Sequence, residues 1–472
     1  MRAGEERRYP PERRKAMAAI LRGQAERWGL LDASRDALEK FARPETLAVV
    51  SGQQPGLFGG PLYTIYKAAT AVAFAAELER VTKRPVVPVF WIASDDHDFE
   101  EVRHVFLGDG TVEARELAYS LEAAPRGVAV SRVPLADPVL TLIAETDEAL
   151  AKSDFRTDVV EALRRSYAPR SGWTEAFARL AGGWVAPWGA LIFDPAEREA
   201  KRLALPVFER EIELRGRSAE AARKTGEELV AAGYHAQIAR TGKELNLFWH
   251  REVREALRLS ADGTFRLAES GRQIQAQELL QKLRERPEDA SPGVLLRPLM
   301  QDYLFPTAAY VGGPSEVAYW AQVLAQYPLF DATPPAVVPR GGATILEPKV
   351  SKVLERYGIS WEALAGDVEV VLVGDLRQLR GEREGVGRIL EQGIGQHLHF
   401  VEHHVFLELL EPEGERVGDE MNLVPPLREL HAQFGRDDAR AAMRRITGDS
   451  DLHDVILPDE PGRGAPALPR GS

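Results

Sequence analysis

The chain has no cysteine in its 472 residues. Disulfides, thiolate metal sites and a cysteine nucleophile are therefore excluded, and no redox argument for secretion remains. Positive charge is not in excess either: 60 Lys and Arg stand against 72 Asp and Glu, a formal net charge of −12. That balance points away from a nucleic-acid coat or an anionic membrane as partner, while leaving room for a local basic groove. No uninterrupted apolar run reaches the roughly 18 residues that span a bilayer. The opening "MRAGEERRYPPERRKAMAAI" is charged and lacks the apolar core of a signal peptide. A cytoplasmic location is expected. There is no repeat of fixed period. With 44% hydrophobic and 28% charged residues, the chain reads as globular, with one large domain plus additions or two to three domains.

Residues 11–42 have helical spacing. "TLAVV" (46–50) reads as a buried strand, "SGQQPGLFGGP" as a loop, "LYTIYKAATAVAFAAELERV" as a helix and "VVPVFWIA" (86–93) as the next strand. Strand, loop, helix, strand is a βαβ unit, which builds a parallel sheet with a right-handed crossover. Ligands bind such sheets beyond the C-terminal strand ends. "LIAETDEALAKS" is helical, and "GALIFD" (189–194) is a further strand. Asp194, Pro195 and Glu197 then read as N-cap, first-turn proline and capping-box acid of a long charged helix running to about residue 230. "QIAR" and "LNLFWH" predict strands near 237–250, and "AVVPR" (336–340) a last one. Residues 291–326 repeat the early logic: an apolar stretch, a "GGP" turn and a helix opened by Ser315 and Glu316. From about 360 to 455 the chain is charged, helical and Gly-interrupted, and the Pro/Gly-rich tail 456–472 reads as disordered.

Five segments carry candidate chemistry. In "SGQQPGLFGGPLYTIYK", Gln53, Gln54, Gly56, Gly59, Gly60 and Tyr63 can form a binding loop at a helix N-terminus. The pattern is neither G-x-G-x-x-G nor a P-loop, and a plain strand-to-helix turn is the alternative. In "PVVPVFWIASDDHDFEEV", an apolar run ends in Ser94, Asp95, Asp96, His97 and Asp98. Carboxylates around an imidazole can hold a divalent ion, shift one another into acid–base range, or bind an amino or hydroxyl group. The bland alternative is a helix start capped by Asp95 or Asp96. "RPLMQDYLFPTAAYVGGPSEVAYW" supplies Arg297, Tyr310, Gly312, Gly313 and Glu316, a second candidate loop. "EPKVSK" places Lys349 and Lys352 one helical turn apart, and "HLHFVEHH" gathers His397, His399, His403 and His404; exposed surface is the better reading of both.

Taken in order, "SGQQPGLFGGPLYTIYKA", "PVFWIASDDHDFEEV", "GYHAQI" with "LNLFW", "LLRPLMQDYLFPTAAYVGGPSEVAYWAQ" and "VVPR" resemble the cysteine-adding enzyme family of bacillithiol biosynthesis, over roughly residues 45–360. The resemblance implies an α/β fold: a Rossmann-like parallel-sheet core with inserted connective segments (1–360) and a C-terminal helical region (361–455) that in the family is a coiled coil building a homodimer. It implies a ligase that joins the carboxyl of cysteine to the amine of glucosaminyl-malate, with ATP as the expected energy source. The His-x-Gly-His signature of class I synthetase-like ligases is absent. On this reading Asp96 or Asp98 holds the amine and His97 accepts its proton. Gln53, Gln54 and the three glycines shape the cleft floor, and Arg297 or Arg340 clamps a malate carboxylate. Two other functions compete. One is a metal-dependent hydrolase using Asp95–Asp98 with His235, His250 or Glu316; the other is a non-catalytic ligand-binding protein.

Overall fold

The computed structural model describes residues 9–108, 114–120, 127–150, 153–250, 253–342 and 348–357. The expected C-terminal helical region, its coiled coil, the tail and the histidines from His397 to His404 lie outside the described residues.

Helices α1 (Pro11–Trp28) and α2 (Leu31–Ala42) precede β1 (Leu47–Gln53), and α3 (Tyr63–Thr82) crosses to β2 (Val86–Ile92). A single turn α4 (Phe99–Val102), the hairpin β3 (His104–Gly108) and β4 (Ala114–Ala118), and helices α5 (Pro138–Ala149), α6 (Arg156–Ser166) and α7 (Trp173–Val185) intervene before β5 (Leu191–Phe193). Next come α8 (Arg198–Leu203), α9 (Leu205–Leu214) and α10 (Arg217–Ala231). An antiparallel sheet follows: β6 (Glu244–His250), β7 (Arg254–Leu259), β8 (Phe265–Leu267), β9 (Gln273–Ile274), then α11 (Ala276–Glu285) and β10 (Ala290–Pro292). The chain returns through α12 (Arg297–Leu304), β11 (Thr307–Gly312), α13 (Pro314–Leu324), β12 (Ala336–Pro339) and α14 (Pro348–Tyr357), where Lys352 is exposed.

The first sheet has the order β12-β11-β1-β2-β5, and each neighbouring pair is parallel. Its two central strands read as continuous apolar runs because both faces are covered. Leu47 and Val49 pack with Ala71, Ala75 and Leu78 of α3. Ala48 and Val50 join the core of Phe41 and Phe177 on the other face. Each such large buried side chain contributes about 1.5–3 kcal/mol. From β1 the chain adds β2 and β5 on one side, then crosses to add β11 and β12 on the other. The order therefore reverses at β1 and β11, and the crevice beyond their C-terminal ends is the switch point where such sheets take ligands.

Two expectations need correction. The long helix after Asp194 is three helices. Asp194 does not cap it, because α8 starts at Arg198 and Asp194 Oδ1 accepts from Ala196 N at 2.9 Å. The breaks fall where Pro206 opens α9 and where Arg215 (φ 50°) and Gly216 (φ 82°) turn left-handed. "QIAR" is irregular rather than a strand: the Ile238 amide donates to the Gln322 side chain at 2.9 Å instead of to a neighbouring strand.

Candidate active site at the sheet edge

Adjacent residues of an extended strand point to opposite sides, and the two glutamines at the end of β1 divide the edge accordingly. Gln54 turns to the acidic loop after β2. Its Nε2 donates to Asp96 Oδ2 at 2.8 Å and to Glu101 Oε2 at 3.0 Å. Gln53 turns to the β11 side, where its Oε1 accepts from Lys67 Nζ at 2.7 Å and its Nε2 donates to the Tyr63 hydroxyl at 3.3 Å.

The acidic loop tolerates its charge because each carboxylate has its own partner. Asp95 is ion-paired with Lys201 of α8, a lysine with no solvent exposure. Asp96 accepts from Gln54 and from the His97 amide at 2.7 Å, and Arg254 of β7 lies 3.8 Å away. Burial alone would raise the Asp96 carboxyl, but these bonds and the guanidinium hold it well below the usual range. Asp98 Oδ1 accepts the Glu101 amide at 3.2 Å and so caps α4. The capping role thus falls to Asp98, not to Asp95 or Asp96, and it accounts for an oxygen that the sequence assigned to a substrate amine. Fully buried Ser94 donates to Asp194 at the end of the neighbouring β5, so it ties two strand ends and does not face a ligand. Burial pushes Asp194 up to about 6.

His97 is exposed, with Nδ1 3.0 Å from Arg254 Nη1 and 3.3 Å from Asp96 Oδ1. The two partners ask for different tautomers: a guanidinium only donates, whereas a carboxylate only accepts. Arg254 stacks on Phe248, 3.7 Å from the ring centroid, and bonds to Ser291 Oγ at 3.0 Å and Pro292 O at 3.1 Å. The same Ser291 hydroxyl lies 2.7 Å from His250 Nε2. Burial and the cations Lys201, Arg132 and Arg254 push His250 down to about 2, so it is neutral.

On the other side of β1, buried Lys67 pairs with Glu316. Glu316 also receives the Tyr310 hydroxyl and, at 2.7 Å, the Gly313 amide. Burial would raise Glu316, but Lys67 and these donors hold it below the ordinary value. Arg297 donates to the hydroxyls of Tyr310 (3.3 Å) and Tyr319 (3.2 Å) and to Gln301 Oε1 (3.0 Å). Arg340 follows β12, its amide bonded to Gly312 O at 2.8 Å and its guanidinium 5.4 Å from the Tyr63 ring centroid. Its Nε is buried without a partner, and among the described residues it makes no ion pair.

The glycine turn is built for shape. The amides of Gly56, Gly59 and Gly60 donate to Gln54, Gly56 and Leu57 carbonyls within the turn. Trp173 Nε1 bonds Pro55 O at 2.5 Å, and a Cβ on Gly59 (φ +99°) would lie 2.6 Å from Trp184. These three amides are spent within the turn, and the Gly313 amide, just before α13, goes to Glu316. The metal-hydrolase alternative fails on geometry: the loop carboxylates diverge to separate partners, and among the described residues no three His, Asp or Glu converge on a point that could hold an ion.

The sequence reading missed Lys67, Lys201 and Arg254. Lys67 had a visible signal, the one cation in the alanine-rich first half of its helix, one turn after Tyr63. Arg254 had none, since it arrives from the inserted antiparallel sheet.

A parallel α/β sheet that reverses at β1, with polar side chains gathered at its C-terminal edge, defines a Rossmann-like protein. A family model described as "Bacillithiol biosynthesis BshC, N-terminal Rossmann-like domain" matches residues 1–341, and the chain belongs to that family. Similar proteins from Salinibacter ruber, Koribacter versatilis and Heliobacterium modesticaldum, each named "Putative cysteine ligase BshC", are 41%, 37% and 35% identical to it. The alignments cover 74%, 75% and 81% of this chain and 64%, 65% and 68% of theirs, so the chain matches about two-thirds of the length of these relatives.

Proposed function

We propose that the protein is a ligase of bacillithiol biosynthesis that forms an amide between the carboxyl of cysteine and the amine of glucosaminyl-malate. The observation that carries this reading is the extent of the family match: residues 1–341 include the whole polar edge from Gln53 to Arg340. A free carboxylate must first exchange its oxygen for a better leaving group, and a nucleoside triphosphate is the proposed donor. No step is routed through it. A cytoplasmic homodimer belongs to the same proposal.

The chain's own groups are assigned as follows. His97 takes the proton that the attacking amine loses. For that, its Nδ1 must carry hydrogen toward Asp96 so that the Nε2 lone pair is open, which requires the 3.0 Å contact of Arg254 Nη1 with Nδ1 to give way. Asp96, kept ionised by Arg254, orients the ring and attracts the ammonium form of the substrate. Arg340, which makes no ion pair among the described residues and has a buried Nε without a partner, receives a malate carboxylate; Arg297 is already committed to Tyr310, Tyr319 and Gln301. The test is thiol profiling by mass spectrometry in a host lacking its own cysteine-adding step. Bacillithiol should appear at the expense of glucosaminyl-malate with the wild-type gene and not with His97→Ala. Persistence of glucosaminyl-malate despite soluble wild-type protein would sink the reading.

A further inference from the structure

The antiparallel sheet has two faces with different work. Phe248, His250, Arg254 and Ser291 share the face that meets the acidic loop, as the β6–β7 and β6–β10 registers require. Trp249, Leu257, Leu267 and Ile274 lie on the opposite face by the same registers. There, between sheet and α11, is a cavity of about 400 Å³ whose apolar wall is these four residues and Leu279, with His250 at the end of β6 also on its lining. That volume is within the size range of small-molecule sites.

The rim of this cavity is basic, in a chain whose net charge is −12. Its lining carries four cations, Arg132, Arg272, Lys282 and Arg286, against two carboxylates, Glu285 and Asp289. The cations are under-paired. One oxygen of Glu278 serves both Arg272 (3.4 Å) and Lys282 (3.6 Å). Asp289 is shared between Arg132 (3.1 Å) and Arg286 (2.8 Å). The Arg272 and Lys282 pairs to Glu278 are long and solvent-exposed and hold little energy, so an arriving anion displaces them at small cost. Of these cations Arg132 also helps, after burial and Lys201, to depress His250 at the strand end.

We propose that this cavity is a second small-molecule site, separate from the sheet-edge cleft. It takes an organic anion whose flat apolar body lies against Trp249 and Leu267 and whose carboxylate or phosphate meets Arg272 and Lys282. The proposal does not depend on the ligase reading, because it is read by binding alone.

Isothermal titration of the full chain tests it with two probes, indole-3-acetate and phenyl phosphate; the tighter one identifies the anionic group. At least one should bind with a Kd near or below about 1 mM. Acetate and inorganic phosphate, which lack the apolar body, should bind at least about tenfold more weakly. Arg272→Glu/Lys282→Glu, at exposed positions that leave the fold intact by circular dichroism, should weaken the tighter probe by about tenfold or more. Filling the cavity with Ile274→Trp should abolish binding while the sheet-edge activity persists. The proposal is overturned if neither probe binds, if the charge reversal leaves affinity unchanged, or if acetate and phosphate bind as well as the aromatic probes.

Discussion

Replacing Lys201 by Met tests whether the acidic loop stands on its private counter-ions. Lys201 has no solvent exposure, and the Asp95 side chain retains 14%. Removing one member of a buried pair costs about 3–5 kcal/mol, because the survivor is left charged and poorly hydrated. The partial exposure of Asp95 places the expected loss at the low end, about 3 kcal/mol. A carboxyl stranded in this way has one escape, protonation, which at pH 7 costs an ordinary aspartate about 4 kcal/mol and therefore bounds the damage. The double variant Lys201→Met/Asp95→Asn removes both charges and should regain most of the loss. Each 1 unit of acidification should recover up to about 1.4 kcal/mol for the single variant once Asp95 takes up a proton. The assay is urea unfolding followed by tryptophan fluorescence, with stability read from the midpoint and slope. If the single and double variants are equally destabilised at pH 7, the lysine stem rather than its charge was holding the loop, and the reasoning fails.

Three further outcomes are expected. Gly59→Ala should lose about 2–4 kcal/mol, since it combines a left-handed φ with a Cβ overlapping Trp184. Gly183→Ala, on exposed helical backbone with open space around it, should gain about 0.4–1 kcal/mol in the same urea assay. His250 is depressed to about 2 in the folded chain, so the unfolded chain binds the proton first as pH falls below about 6.5. Stability present at neutral pH should therefore decline by about 2 kcal/mol between pH 6.5 and 5, and His250→Gln should lose this limb of the pH–stability curve. Arg340→Gln should raise KM for glucosaminyl-malate by roughly 10- to 100-fold with a smaller effect on kcat, the signature of a lost charged hydrogen bond to a remote carboxylate; an unchanged KM would remove Arg340 from the site.

Much of the parallel core was legible because its signals are local. "TLAVV" and "VVPVFWIA" are strands buried on both faces, and their continuous apolar character needs no tertiary information. The capping acid Glu316 was legible for the same reason. The antiparallel sheet was only partly readable: "LNLFWH" gave β6, but its partners are short, and their pairing depends on contacts made across the inserted segment. At the site, the residue types after β2 drew attention to the right loop. The division of labour within it did not follow from sequence, since Asp95 and Asp96 are alike until Lys201 and Arg254 arrive from elsewhere in the chain, while Asp98 is taken by the local Glu101 amide. The glycines illustrate the converse. Their density suggested a binding loop at a helix N-terminus, while the Trp184 side chain that requires Gly59 comes from α7, more than a hundred residues away.

The position of β1 at the centre of its sheet has a consequence for how the chain must be made. Leu47–Gln53 is among the first strands to leave the ribosome, yet one of its two neighbours, Thr307–Gly312, is separated from it by some 250 residues of intervening sequence. Until that strand is synthesised, β1 presents an apolar edge with its backbone hydrogen bonds unanswered, the kind of surface that recruits other chains. Closure of the sheet is a late, non-local event and sets a slow folding step. Nascent chains, and fragments that stop short of Thr307, are thus the forms of this protein most dependent on chaperones.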